Sequence, residues 1–194
     1  DAWMFGKATT AEVFPDKYIP TGDRHPAPGE VHIAGRDSAR LFITVDPDAD
    51  ILYTSDRLRG DNIVTVVGTN ATTDYLAMLE DKGISYIVLD DAGNLSAAMD
   101  ILHDRFGVKS VSLQGGGIID GAMLGAGLLD ELSLVVYPGI DGLTTAPSIF
   151  EYLGASDEYP AAGQSLELLS AEQRANGIMW LRYKFHHREH GNAS

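Results

Sequence analysis

Apolar positions along this chain come in short dense runs separated by turn residues. Ala2 to Phe5 reads as a buried strand stopped by Gly6, and Thr9 to Phe14 as a short helix ended by Pro15. From Asp16 to Glu30 the pattern lapses, and Pro20, Gly22, Pro26, Pro28 and Gly29 predict a long loop or flap. Phe42 to Val45 is strand-like, Asp46-Pro47-Asp48 turns, and Ile51 to Thr54 is a second short strand candidate. The middle is regular. Ile63 to Val67, Ile84 to Leu89 and Val108 to Leu113 are apolar runs with strand character. Between them lie two helical stretches. The first is capped at Thr72 or Thr73, with Tyr75, Leu76 and Leu79 on one face and Gly83 at its end. The second is capped at Asn94 or Ser96, with Met99, Leu102 and Phe106 together and Gly107 at its end.

Strand and helix in alternation imply a parallel sheet covered by helices. The end of the chain changes character. Asp130 to Tyr137 is a strand closed by Pro138-Gly139, and Ser165 to Ser170 and Ile178 to Phe185 are strands joined across Ala175-Asn176-Gly177. Asn-Gly is a hairpin signal. A hairpin added to a parallel sheet makes an α/β fold with a mixed, mostly parallel sheet, flanking helices and a C-terminal antiparallel hairpin. Residues 1–186 form one expected domain, and residues 187–194 a disordered tail. Its histidines, with His186, His187 and His190 in one polar stretch, read as solvated rather than metal-binding.

Three strand ends carry candidate chemistry. In Gln114-Gly115-Gly116-Gly117-Ile118, a strand meets a helix through glycines that leave amides bare. Such a helix start can hold a phosphate, or it can be a ligand-free turn. Ile118, Met123 and Leu124 are its expected buried face. In Gly6-Lys7-Ala8-Thr9, Lys7 could neutralise a phosphate while the Thr9 hydroxyl donates to it, or Lys7 could face solvent. In Thr54-Ser55-Asp56-Arg57, hydroxyls and a guanidinium suit a 2′-phosphate, or form a polar turn. Ligands of open α/β sheets bind at strand ends. His25 and His32 have no paired nucleophile, and Asp90-Asp91 and Asp130-Glu131 read as turn and corner carboxylates. No general acid is visible.

Composition narrows the classes. The chain has 194 residues, no cysteine and a formal net charge of −14. Disulfides and thiol chemistry are excluded, and a reducing, cytoplasmic setting is expected. The negative surface makes nucleic acid an unfavourable partner. No apolar run approaches the ~20 residues of a membrane span, so no membrane partner is expected. Asp1-Ala2-Trp3-Met4-Phe5 has no signal-peptide pattern, and a chain opening directly on a strand reads as part of something longer.

Three motifs together resemble the RibD C-terminal domain, the reductase domain of riboflavin biosynthesis, with its dihydrofolate reductase-like three-layer fold. They are Gln114-Gly115-Gly116-Gly117-Ile118-Ile119-Asp120-Gly121, then Gly127-Leu128-Leu129-Asp130-Glu131-Leu132, then Tyr137-Pro138-Gly139-Ile140-Asp141-Gly142. Gly6-Lys7-Ala8-Thr9 is similar to the family's Gly-Arg-x-Thr. The resemblance implies NADPH, with its diphosphate on Gly115, Gly116, Gly117 and Ile118. It implies phosphate contacts from Gly6, Lys7 and Thr9, and 2′-phosphate contacts from Thr54 and Ser55. It also implies a small heterocyclic or carbonyl substrate touched by Gln114, and a homodimer in which Trp180 could be an anchor. Two departures stand out. Gln114 replaces the common Glu, and the family's first strand, with its Ser-Leu-Asp-Gly, does not occur after Asp1. Arg24, Arg36 and Arg40 could substitute for ribose-phosphate contacts that the 16–40 segment otherwise lacks. Two alternatives remain open: a dihydrofolate reductase, and a nucleotide-binding protein without turnover.

Overall fold

The computed structural model describes residues 1–140, 142–155 and 157–187. The expected tail from 188 onward, with His190, and Asp141 of the third motif lie outside them. Five strands run parallel: β1 (Ala2–Gly6), β3 (Leu41–Val45), β5 (Asp61–Gly68), β6 (Ser85–Leu89) and β7 (Val111–Leu113). Their spatial order is β6-β5-β3-β1-β7. Two short antiparallel strands join this sheet, β2 (Val31–His32) on β6 and β4 (Arg57–Leu58) on β5. The sheet is therefore mixed and mostly parallel.

Alternation along each strand feeds two cores. On one face Met4, Ile43, Val64, Val66, Ile87 and Leu89 pack under helices α3 (Leu95–Phe106) and α4 (Gly117–Gly125). On the other, Phe42, Ile63, Val67, Tyr86 and Val88 pack under α2 (Thr73–Asp81) and under Phe14, Ile51 and Tyr53 from loops. Burial of both faces explains why the central strands read as unbroken apolar runs. The caps of α3 behave as the sequence indicates, with Asn94 accepting from the Ala97 amide and Gly107 closing the helix at φ 67°, whereas Thr72 stands at the N-cap of α2 without a side-chain cap bond.

Four expectations are corrected. Ile51 to Thr54 is not a strand; only Ile51 bridges to Lys17, and this segment crosses the sheet face with Ile51 and Tyr53 as core plugs. The first helix, α1, is Lys7–Ala11 rather than Thr9 to Phe14, because it starts directly off β1 and Phe14 drops into the core. On α4 the buried side chains are Ile119 and Met123, while Ile118 is 51% exposed, so the buried stripe is shifted. The hairpin strands β9 (Ser165–Gln173) and β10 (Met179–His186) do not extend the first sheet. With β8 (Glu131–Val136) they form a second antiparallel sheet, ordered β8-β10-β9. The hairpin itself is as expected, turning through Asn176 at φ 60° and Gly177 at φ 76°.

Two carboxylates fasten the loop-rich layer. Asp46 is fully buried at the end of β3, and its Oδ2 accepts from the Asp50 amide (3.1 Å), the Ile51 amide (3.2 Å) and the Tyr75 hydroxyl (3.1 Å). Its Oδ1 lies 3.7 Å from the Lys7 ammonium. Burial pushes this carboxyl above its usual range, against the pull of the Ile51 amide and Lys7. Asp74, on α2, accepts from the Tyr18 hydroxyl and from the Thr21 and Gly22 amides, which bolts the proline-rich loop to the helix. His25 adds a bond to the Ala71 carbonyl at 2.8 Å. The loop is thus fastened to α2 rather than hanging as a flap.

Asp46→Ala leaves the Ile51 and Asp50 amides without their acceptor and the Tyr75 hydroxyl with the Ile51 carbonyl alone, and is expected to cost about 2–3 kcal/mol in urea unfolding. Asp46→Asn, which keeps an acceptor oxygen, should cost distinctly less in the same assay.

Candidate functional site

The parallel strands end on one rim. β1 ends at Gly6, β3 leads into Asp46, β6 into Asp90 and β7 into Gln114. Because β1 and β7 are neighbours, two of the three candidate strand ends meet. The Gln114 amide donates to the Met4 carbonyl at 2.9 Å, and a β-carbon on Gly6 would lie 3.4 Å from Ile119 at the start of α4. Gly6 therefore meets Gln114 and the start of α4 at this corner, and Lys7 and Thr9 follow it on α1.

Thr54 and Ser55 do not join them. They lie just before β4, which pairs with the opening residues of β5, so they sit at the opposite end of the parallel strands from this rim. Ser55 Oγ accepts from the Arg57 amide at 3.1 Å, and the Arg57 guanidinium is held by Asp37 and Asp56. The polar-turn reading describes this segment. Among the described residues no strand ends at Thr54 or Ser55.

The glycine turn has two halves with different causes. Gly115 (φ 83°) and Gly116 (φ 30°) have backbones that side chains disfavour, and a β-carbon on Gly116 would meet nothing within 4 Å. This half is open to a ligand. Gly117 and Gly121 are required by a close approach of the chain itself. A β-carbon on Gly117 would sit 2.5 Å from the Ser148 carbonyl oxygen, and one on Gly121 would overlap the Glu151 carbonyl. The Glu151 amide donates to the Gly117 carbonyl at 2.8 Å, and its side chain lies beside Gly117. Glu151 Oε1 accepts from the Ser148 amide at 3.3 Å, which holds a carboxylate beside the start of α4, where the helix dipole favours negative charge.

Lys7 is engaged rather than free. Its ammonium contacts Asp48 and Asp50 and lies near Asp46, so a phosphate would have to draw it out of a carboxylate cluster. Arg40 stands over the Trp3 ring at 5.2 Å and lies 3.5 Å from Asp61, and Arg36 bonds local carbonyls. Asp91 Oδ1 accepts from the Gly93 amide as a turn residue, and Glu131 pairs with Arg182. Trp180 is half-buried, with its Nε1 on Ser133 Oγ at 2.9 Å. His32 stacks on Tyr86. Among the described residues no cluster of three metal-ligating side chains forms, and no helix is long and apolar enough to cross a membrane.

Beside the turn lies a cavity of about 850 Å³ between β7 and β8, lined by Val111, Leu113, Leu132, Leu134, Phe185 and Asp120. Among the described residues the facing edges of both strands are unpaired, since β7 pairs there only with β1 and β8 only with β10. Asp120 is the residue that sequence reasoning missed. Its Oδ1 is buried with no hydrogen-bond partner, and burial pushes its carboxyl up to about 6. The only signal was an acid set between Ile119 and Gly121 in an otherwise apolar helix.

Residues 22–180 match a family model described as the RibD C-terminal domain. Among solved structures, a pyrimidine reductase-like protein from Corynebacterium diphtheriae aligns over 96% of this chain and 76% of its own, at 20% identity and a TM-score of 0.65. RibD from Acinetobacter baumannii aligns over 95% of this chain at 15% identity and a TM-score of 0.55. The chain spans 47% of that protein's length. These likenesses agree on the fold.

Two outcomes check the geometry. Gly121→Ala forces a methyl into the Glu151 backbone and should cost about 2–3 kcal/mol in thermal unfolding, whereas Gly116→Ala carries only a backbone strain of about 1 kcal/mol. Asp120, with its pKa raised in the fold, contributes stability that is present below the ordinary carboxylate range and lost as pH rises through about 6. Asp120→Asn should therefore be more stable than the parent at pH 7–8 in urea titrations, with the difference closing towards pH 4.

Proposed function

The chain belongs to the RibD C-terminal domain family, a family of riboflavin-pathway reductases, and from that premise we propose an NADPH-dependent reductase that passes hydride to a small heterocyclic or carbonyl substrate. The observation that carries this reading is the meeting of Gly6 with the glycine turn at the β1–β7 corner, where the open side of Gly116 leaves room for a diphosphate. Gly115, Gly116 and the start of α4 at Gly117 and Ile118 would hold it through backbone amides. Gly6 and Thr9 would close the other side, and Lys7 would join by leaving its aspartates. Gln114 would touch the substrate through its carboxamide. Bound NADPH would supply the hydride, and the protein would supply position. Thr54 and Ser55 have no part in this reading, because they lie at the opposite end of the strands.

Two further parts of the reading rest on unpaired surfaces. The family's first strand is assigned to the slot between β7 and β8, supported by two free strand edges facing one apolar cavity. A homodimer is assigned to the second sheet, supported by the exposure of Val135, Leu166, Leu168 and Leu169.

The test is titration with NADPH and NADH followed by nicotinamide fluorescence, with NADPH oxidation as the measure of turnover. NADPH should bind, Gly116→Val should weaken it at least tenfold by closing the open side, and Glu151→Gln should tighten it about two- to fivefold by removing a competing charge. Absence of binding at millimolar cofactor overturns the reading. Binding without turnover on any carbonyl or heterocycle would favour the non-catalytic alternative.

A further inference from the structure

The turn after β3 holds Asp46, Asp48 and Asp50 around one ammonium, that of Lys7. Ala49, buried at φ 51°, fixes the turn between the last two. The three carboxylates differ. Asp48 is exposed, so water screens its charge. Asp46 is fully buried, and its Oδ2 accepts from two amides and the Tyr75 hydroxyl. Its Oδ1 has no hydrogen-bond partner and lies 3.7 Å from the Lys7 ammonium. Asp50 is half-buried; its Oδ2 accepts from Lys17 at 2.7 Å, and its Oδ1 meets the same Lys7 ammonium. The other groups facing Asp46 are phenols that burial keeps neutral, Tyr75 from α2 and Tyr53 from the segment crossing the sheet. Among the described residues no second cation pairs with Asp46. Burial pushes Asp46 above its usual range even with Lys7 in place, and the charge of Asp50 pushes the same way. Burial also pushes Asp50 up, but Lys17 and Lys7 together bring it below the usual range.

Lys7 reaches this node from the first residue of α1, which follows Gly6 at the β1–β7 corner. We propose that Lys7 and one proton are alternative occupants of the place between Asp46 and Asp50: when an anion at the corner draws the ammonium away, the two carboxylates bind one proton between their Oδ1 atoms, so anion binding takes up a proton. Solvent supplies the proton. One positive charge leaves the node and one enters, so its net charge is kept. Without either, two ionised carboxylates would face each other in a mostly dry place, and such pairs hold one proton in common and titrate as a unit. Lys17 stays on Asp50 throughout. The identity of the anion as the cofactor diphosphate rests on the reductase reading; the shared proton does not. The exchange makes a phosphate ligand bind more weakly as pH rises.

Lys7→Met removes the ammonium and keeps most of the stem. In the full chain carrying it, carbon-13 spectra of the aspartate carboxyls should show one proton held by the Asp46–Asp50 pair at pH 7, released with a midpoint at or above about 6.5. A proton bound more tightly in the fold stabilises below that midpoint, and the stabilisation is lost as pH rises through it. Lys7→Met should therefore stay close to the parent in urea unfolding near pH 5 and fall behind it towards pH 8. Adding Asp50→Asn puts a carboxamide N–H where the proton would sit. The double variant should lose this pH dependence, and should fold at pH 8 even where Lys7→Met alone does not. In calorimetric titration with NADPH at pH 7.5, in buffers of different ionisation heat, the parent should take up about one proton more than Asp50→Asn. Carboxyls of Lys7→Met that both titrate in the ordinary carboxylate range, or a double variant that keeps the pH dependence of Lys7→Met, overturn the shared proton. Equal uptake by the parent and Asp50→Asn overturns its link to the anion. Failure of NADPH to bind removes the reductase reading alone, and the Lys7→Met titration still decides the proton.

Discussion

A carboxylate with no access to water holds one whole layer of this protein in place. Asp46 ends β3, and its two oxygens organise the turn that follows, the hydroxyl of Tyr75 on α2 and the ammonium of Lys7 on α1. Burying a charge is unfavourable unless donors surround it, and here they come from three different elements. The loop-rich face of the sheet has few helices, so this node does what a helix does on the other face. Lys7 is part of the same arrangement, and for that reason a lysine that looks like a phosphate ligand in the sequence is found among carboxylates.

The corner between β1 and β7 inherits its properties from this division of labour. One side of it is rigid backbone, with Gly6 against Ile119 and Gln114 bonded to Met4. The other side is set by the segment 148–151, which presses so closely on α4 that Gly117 and Gly121 can be nothing larger. A glycine run can thus mix conformational, steric and ligand-facing reasons within a few residues, and only the Gly115–Gly116 half remains free for chemistry.

Much of the fold was legible because burial on both faces imposes strong spacing. Tyr75, Leu76 and Leu79 on α2, and Asn94 and Gly107 around α3, follow directly from apolar periodicity and caps. The two-residue strands β2 and β4 left no trace, since a backbone ladder at a sheet edge needs no apolar pattern. Ile51 and Tyr53 mimicked a strand because plugs dropped onto a sheet face also alternate. The corner residues were legible as motifs, while the exclusion of Thr54 and Ser55 depended on the chain reversing direction across the sheet. Asp120 could not be singled out, because its unpaired oxygen arises from the gap between β7 and β8 rather than from its neighbours in sequence.

That gap also divides the molecule energetically. Among the described residues no ladder of backbone hydrogen bonds joins the β8-β10-β9 sheet to the parallel one; side chains such as Phe185 and helix α4 bridge them instead. Cooperativity in a sheet travels along its ladders, so wherever the slot between β7 and β8 holds no strand the interruption is a boundary between units that can open separately. With the slot empty, the parallel sheet, covered on both faces, is the more protected unit, and the smaller sheet can loosen without unravelling the rim that carries the glycine turn.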